Sequence, residues 1–221
     1  MWVKKLQWEL VKSSKWILVG AVMVLLSAGN LSGAGSPERA VSSYFIGVDL
    51  SLLLTVPVIA TEVPLDVLIL SKPVGRRNAF LQHALTTASF GLLLAGLGAI
   101  ISLLGAWSPK ETMRGFVIST LIVLTTQPIG FFVGLFLRGK FTRAILSIGI
   151  ALGLFFLPLG LLITGNTGPL QALIIPTYGP VMSTINKMNL SEATAFALLS
   201  SCIWTLIPMM LFSRREICYS P

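Results

Sequence analysis

Few residues of this chain are equipped for chemistry. His83 is the only histidine, which excludes a multi-histidine metal site and leaves a cysteine or serine nucleophile without a nearby base. Gly134 to Phe141, GLFLRGKF, meets the pattern G-x-x-x-x-G-K but puts Phe where a phosphate loop needs a hydroxyl for magnesium, and it follows no strand. Its first residues end an apolar run, where helical backbone has no free donors to cradle phosphate, so the match reads as coincidence. The sequence assigns no catalytic residue, no metal ligand and no cofactor to this chain.

Two polar residues stand out inside the apolar runs. Asp49 lies in the run 44–62, about 9 Å from its start at 1.5 Å per residue. A buried acid at that depth is costly and marks a functional position, a coupling acid of a transporter or channel being one such role; an acid satisfied by a serine or a backbone group is the other reading. Gln127 precedes Pro128 in the run 115–137 and is the second intramembrane polar position. A different kind of site is offered by residues 61–77, TEVPLDVLILSKPVGRR, where acids, bases and prolines flank a short apolar core. Pro64 suits the first turn of a helix and Asp66 its positive end, while Ser71-Lys72-Pro73 stops it. So short and apolar a helix in water requires a partner with a groove.

The elements that position these residues are set by composition. Hydrophobic residues make up 54% of the 221 and charged residues only 11%, with a mean hydropathy of +0.87, which excludes an ordinary soluble domain. Crossing a bilayer takes about 20 mostly apolar residues, and the runs 16–35, 44–62, 84–107, 115–137, 144–164 and 191–212 predict six transmembrane helices. A cleaved signal peptide is the rival reading of the first run. The loops predicted to lie inside carry Lys4, Lys5, Lys12, Lys15, Lys72, Arg76, Arg77, Arg138, Lys140, Arg143, Arg214 and Arg215, and those outside only Arg39, Lys110, Arg114 and Lys187. That asymmetry predicts cytoplasmic N- and C-termini and assigns the formal charge of +8 to topology and anionic lipid headgroups. With the bases scattered over several loops, nucleic acid is not a partner, and Cys202 and Cys218 are not expected to pair.

Trp2, Leu6 and Leu10 recur every fourth residue within 1–14, the pattern of an N-terminal interfacial helix, against the plainer reading of a basic topogenic tail. Pro128, Pro158 and Pro208 interrupt the later runs, so neighbouring helices must take up the freed carbonyls. The pairs Gly130/Gly134 and Gly149/Gly153 permit close helix approach. Residues 165–190 are mostly apolar but broken by Gly168-Pro169, Pro176 and Gly179-Pro180, which predicts short helices dipping back into the outer leaflet. Asn189 and Glu192 have the spacing of a capping box for the sixth span. The whole of 1–221 reads as a single all-α transmembrane domain.

In order of features the chain resembles the ABC type-2 permeases, the membrane subunits of ATP-driven exporters. The resemblance rests on Thr61-Glu62, Leu65-Asp66-Val67-Leu68-Ile69-Leu70, Ser71-Lys72-Pro73-Val74 and Arg76-Arg77, and on the layout of interfacial helix, six spans and outer segment. Val63-Pro64 and Gln82-His83 depart from the Gly-Thr and Gly-Lys often found at those places in the family. It implies that 62–80 is a cytoplasmic coupling segment, in which Glu62, Leu65 to Ser71, Arg76 and Arg77 engage a separate ABC ATPase that holds ATP and magnesium. It further implies a second permease subunit, identical or related, re-entrant helices in 165–190, and export of an amphipathic or hydrophobic substrate from a prokaryotic cell. An ATP-independent secondary transporter or channel using Asp49 is the alternative.

Overall fold

The computed structural model describes residues 15–31, 36–53, 56, 57, 60, 76–106, 108–136, 140–165 and 168–214. Residues 1–14 and 61–75, which carry the expected interfacial helix and most of the coupling segment, lie outside them. Among the described residues every regular element is helical: α1 (Lys15–Ser27), a 3₁₀ turn (Ala28–Leu31), α2 (Pro37–Leu53), α3 (Arg76–Ala106), α4 (Pro109–Phe136), α5 (Lys140–Ile163), α6 (Pro169–Ile174), α7 (Tyr178–Thr184) and α8 (Leu190–Arg214).

Four of these helices are long and apolar enough to cross a membrane, through Ala88–Gly105, Pro109–Gly134, Phe141–Ile163 and Leu190–Ile207. They match the third to sixth expected spans. The first run yields a shorter apolar helix, Leu18–Leu31. In the second run, α2 begins at Pro37, ahead of the apolar residues, because Pro at the first turn and Glu38 beside it suit a helix start. Asp49 therefore sits about 18 Å along its helix rather than about 9 Å. In the same way α3 starts at Arg76, eight residues ahead of the apolar run 84–107, so that His83 lies within the helix.

Burial ranks the helices. In α4, 72% of the spanning window is buried, against 28% in α3, 22% in α5 and 17% in α8, so α4 is the central post and the others present faces outward. Exposed leucines and isoleucines such as Leu104, Ile163 and Leu199 cover those outer faces, a surface that water disfavours and lipid accepts. The core joins α2 (Tyr44, Phe45, Val48, Leu52) to α4 (Ile118, Ile122, Val123, Ile129) and α5 (Ala151, Phe155). Gly115 makes the α2–α4 approach possible, since a Cβ there would fall within the Phe45 ring.

The two short helices are built into this bundle. Pro158 cannot donate to the carbonyl one turn back, Leu154 O; the Thr177 hydroxyl donates to that carbonyl instead. Trp204 Nε1 of α8 donates to Ile174 O at 3.3 Å. All of α7, Tyr178 to Thr184, is buried, with Tyr178 and Met182 packed against Leu161, Leu162 and Phe196. α7 closes in a Schellman turn: Lys187 N donates to Met182 O at 2.8 Å and Asn186 N to Ser183 O at 3.1 Å. Asn186 supplies the left-handed residue such a turn needs, at φ 59°.

Candidate functional site

The polar centre of the bundle is made by three helices. α2 contributes Asp49, which is fully buried. α4 contributes Ser119, whose Oγ donates to Asp49 Oδ1 at 2.6 Å. α7 contributes Thr184, whose Oγ1 lies 2.9 Å from Asp49 Oδ2 and 3.1 Å from Pro180 O. Local chemistry explains the placement. Ser and Thr hydroxyls tolerate helix interiors by bonding carbonyls a turn back, as Ser51 does to Gly47 O and Thr120 to Phe116 O. Ser119 turns instead toward the carboxylate, and Thr184 stands between the carboxylate and the carbonyl a turn back, the charge-assisted bond being the stronger.

Beside this centre, one end of the bundle opens into a vestibule of about 500 Å³ lined by Glu38, Arg39, Glu111, Arg114, Thr184 and Asn186. Arg114 organises its floor. Its Nη2 donates to Ser183 O at 2.9 Å, and its Nη1 lies 4.0 Å from Glu111, so α4 grips the last turn of α7 next to Thr184. Arg39 and Arg114, assigned to one side of the membrane by charge, meet at this one end.

Gln127 is buried in α4 beside Pro128, and lines a separate groove of about 510 Å³ with Leu85, Leu124, Phe131, Cys202 and Leu206, between α3, α4 and α8. The two intramembrane polar positions, Asp49 and Gln127, thus belong to different sites. Cys202 is free and exposed there. Arg76 and Arg77 are the first residues of α3; Glu62 and Leu65 to Ser71 lie outside the described residues. Among the described residues no group of three or more His, Cys, Asp or Glu side chains is placed to hold a metal.

Sequence reasoning singled out Asp49 and offered a serine as one way to satisfy it, which Ser119 does, but it could name neither Ser119 nor Thr184. Ser119 and Thr184 stand 70 and 135 positions away, and a lone hydroxyl in an apolar run carries no signal of its own. Arg114 was legible only as an outer base. No protein-family model matches the chain, and no curated protein matches it.

Proposed function

We propose that this chain is the membrane permease subunit of an ATP-driven exporter of the ABC type-2 kind, with six spans, cytoplasmic termini and a re-entrant outer segment. The observation that carries the reading is the depth at which α6 and α7 are held. Thr177 meets α5 at Leu154, about 14 Å along the helix from its end at Ile163. Thr184 meets α2 at Asp49, about 8 Å into the apolar run that begins at Tyr44. Trp204 Nε1 donates to Ile174 O about 21 Å into α8. Short helices so deep among spanning helices, placed just before the last of them, are what the resemblance implies for 165–190, and backbone of this kind is tolerated at membrane depth only when protein shields it. α7, buried throughout, meets that condition.

In this reading α1 and α2 complete the six spans, and Leu65 to Ser71 insert into a cleft of a cytoplasmic ATPase that holds ATP and magnesium. Glu62, Arg76 and Arg77 frame the contact. Closure of two ATPases rocks two permease subunits between inward and outward openings, the apolar knob passing rigid-body motion to α2 and α3. Gly149 and Gly153 on α5 face open space beside exposed Leu146, Leu152 and Phe156, which supports close packing against a second subunit. The cargo is amphipathic or hydrophobic and leaves the cell.

The test is purification of the tagged chain from its own membranes. The wild-type chain should bring down a Walker-motif ATPase whose hydrolysis is measurable in nanodiscs. Leu68→Asp should insert normally yet retain at least tenfold less of it, since a charge in an apolar cleft lacks a partner. Wild-type protein free of any ATPase, or equal retention by Leu68→Asp, would overturn the reading.

A further inference from the structure

The buried Asp49 is short of a counter-charge. Its carboxylate has about four acceptor positions and receives two hydroxyls, Ser119 at 2.6 Å and Thr184 at 2.9 Å. Among the described residues no Lys, Arg or His lies within salt-bridge distance of it: Arg114, the guanidinium of the adjoining vestibule, is engaged by Ser183 O and Glu111. Two neutral hydroxyls do not compensate a charge removed from water.

We propose that Asp49, Ser119 and Thr184 form a binding site for a monovalent metal cation of sodium's size, filled from the vestibule. The inference goes beyond export and does not depend on the ATPase. Charge and ligand chemistry select the ion. One carboxylate neutralises one positive charge, whereas a divalent ion would leave an excess in the core. All the ligands are hard oxygens, which excludes soft metals.

Geometry permits the exchange. An ion of calcium's radius, which sodium shares, sits about 2.4 Å from its oxygens, so two of them at right angles stand about 3.4 Å apart; the side chains admit it when rotation of the two hydroxyls widens the present 2.6 and 2.9 Å separations to that spacing. A hydroxyl that turns its oxygen to a cation needs another acceptor for its proton. Thr184 has Pro180 O at 3.1 Å, and Ser119 has the helix carbonyl one turn back. The route is short, because Thr184 both bonds Asp49 and lines the vestibule. Thr184 is also the last residue of α7, where the helix dipole favours a cation. Binding would tie α2, α4 and the outer helix α7 together through one ion, making closure of that face dependent on sodium.

Thermal unfolding of the chain in nanodiscs tests this, in sodium, potassium and choline chloride at one ionic strength of about 150 mM. Sodium should raise the midpoint over choline by roughly 3 °C or more. Thr184→Val and Ser119→Ala should shrink that increment at least twofold, and Asp49→Asn should abolish it. Should Asp49→Asn not fold, Ser43→Cys on the vestibule wall, in a Cys202→Ala, Cys218→Ala background, replaces it as readout. Its maleimide labelling should slow about fivefold in sodium, and Thr184→Val should remove the effect. Equal midpoints in sodium and choline, an increment that Asp49→Asn retains, or labelling indifferent to sodium would each overturn the site. A midpoint that follows pH but not sodium would overturn it in favour of a proton.

Discussion

At the scale of single residues, glycines separate what the bundle needs from what it only permits. Gly115 lies against Phe45, and an added methyl would overlap the ring. Phe45 is itself 2% exposed and has no room to retreat. Gly115→Ala is therefore expected to destabilise the protein by about 1–3 kcal/mol, the usual effect of overpacking a tight core. Gly149→Ala, with nothing within 4 Å of the new methyl, should leave the unfolding midpoint of the isolated chain unchanged. Comparing the two midpoints in detergent checks this, and equal losses would mean that the α2–α4 approach is looser than described. The sequence marked Gly149 and Gly153 for close approach, yet a methyl at either would meet nothing within 4 Å among the described residues; Gly115 carried no such mark. Spacing reveals that a helix can come close, but not which helix does.

At the scale of elements, the prolines define where the outer helices attach. Pro158 leaves Leu154 O without its helical donor, and Thr177, 23 positions away in sequence, supplies one. That hydroxyl is the link between the connection into α7 and the middle of α5. Thr177→Val keeps the shape, removes the donor and leaves a buried carbonyl unsatisfied, at a cost of about 1–3 kcal/mol. Hydrogen exchange should quicken across Tyr178 to Thr184 while the middle of α4 keeps its protection. Exchange unchanged in α7 would mean that the packing of Tyr178 and Met182 and the bonds of Ser183 and Thr184 anchor it without Thr177. Further along α4, Thr125 and Thr126 bond carbonyls of their own helix, those of Ile122 and Val123, just before Pro128.

At the scale of the whole molecule, one end gathers Glu38, Arg39, Glu111, Arg114 and Asn186 around the vestibule, while apolar side chains cover the outer faces between the ends. Export with coupling on the inner side requires this end to face outward. In intact cells, in a background without the native cysteines, a membrane-impermeant maleimide should label Lys187→Cys at once. Arg143→Cys, near the start of α5, should label only after permeabilisation. The reverse pattern would turn the vestibule toward the cytoplasm and remove the proposed coupling.

The sequence by itself determined that this is an all-helical membrane protein, because run length and hydropathy are properties of consecutive residues. It also singled out Asp49, since one acid in an apolar run is conspicuous without coordinates. Of the breaks it expected in 165–190, Gly168-Pro169 opens α6 and Pro176 falls between α6 and α7, whereas Gly179-Pro180 lies inside the first turn of α7. Three things were decided only in the tertiary structure. α4 became the central post, though its composition matches that of its neighbours; burial depends on what packs around a helix, not on its own residues. Thr177 and Thr184 acquired roles from partners on α5 and α2, and Arg114 its hold on α7. Hydroxyls and cations have no intrinsic address: their energy is realised only when folding removes water and brings a distant acceptor within 3 Å of them.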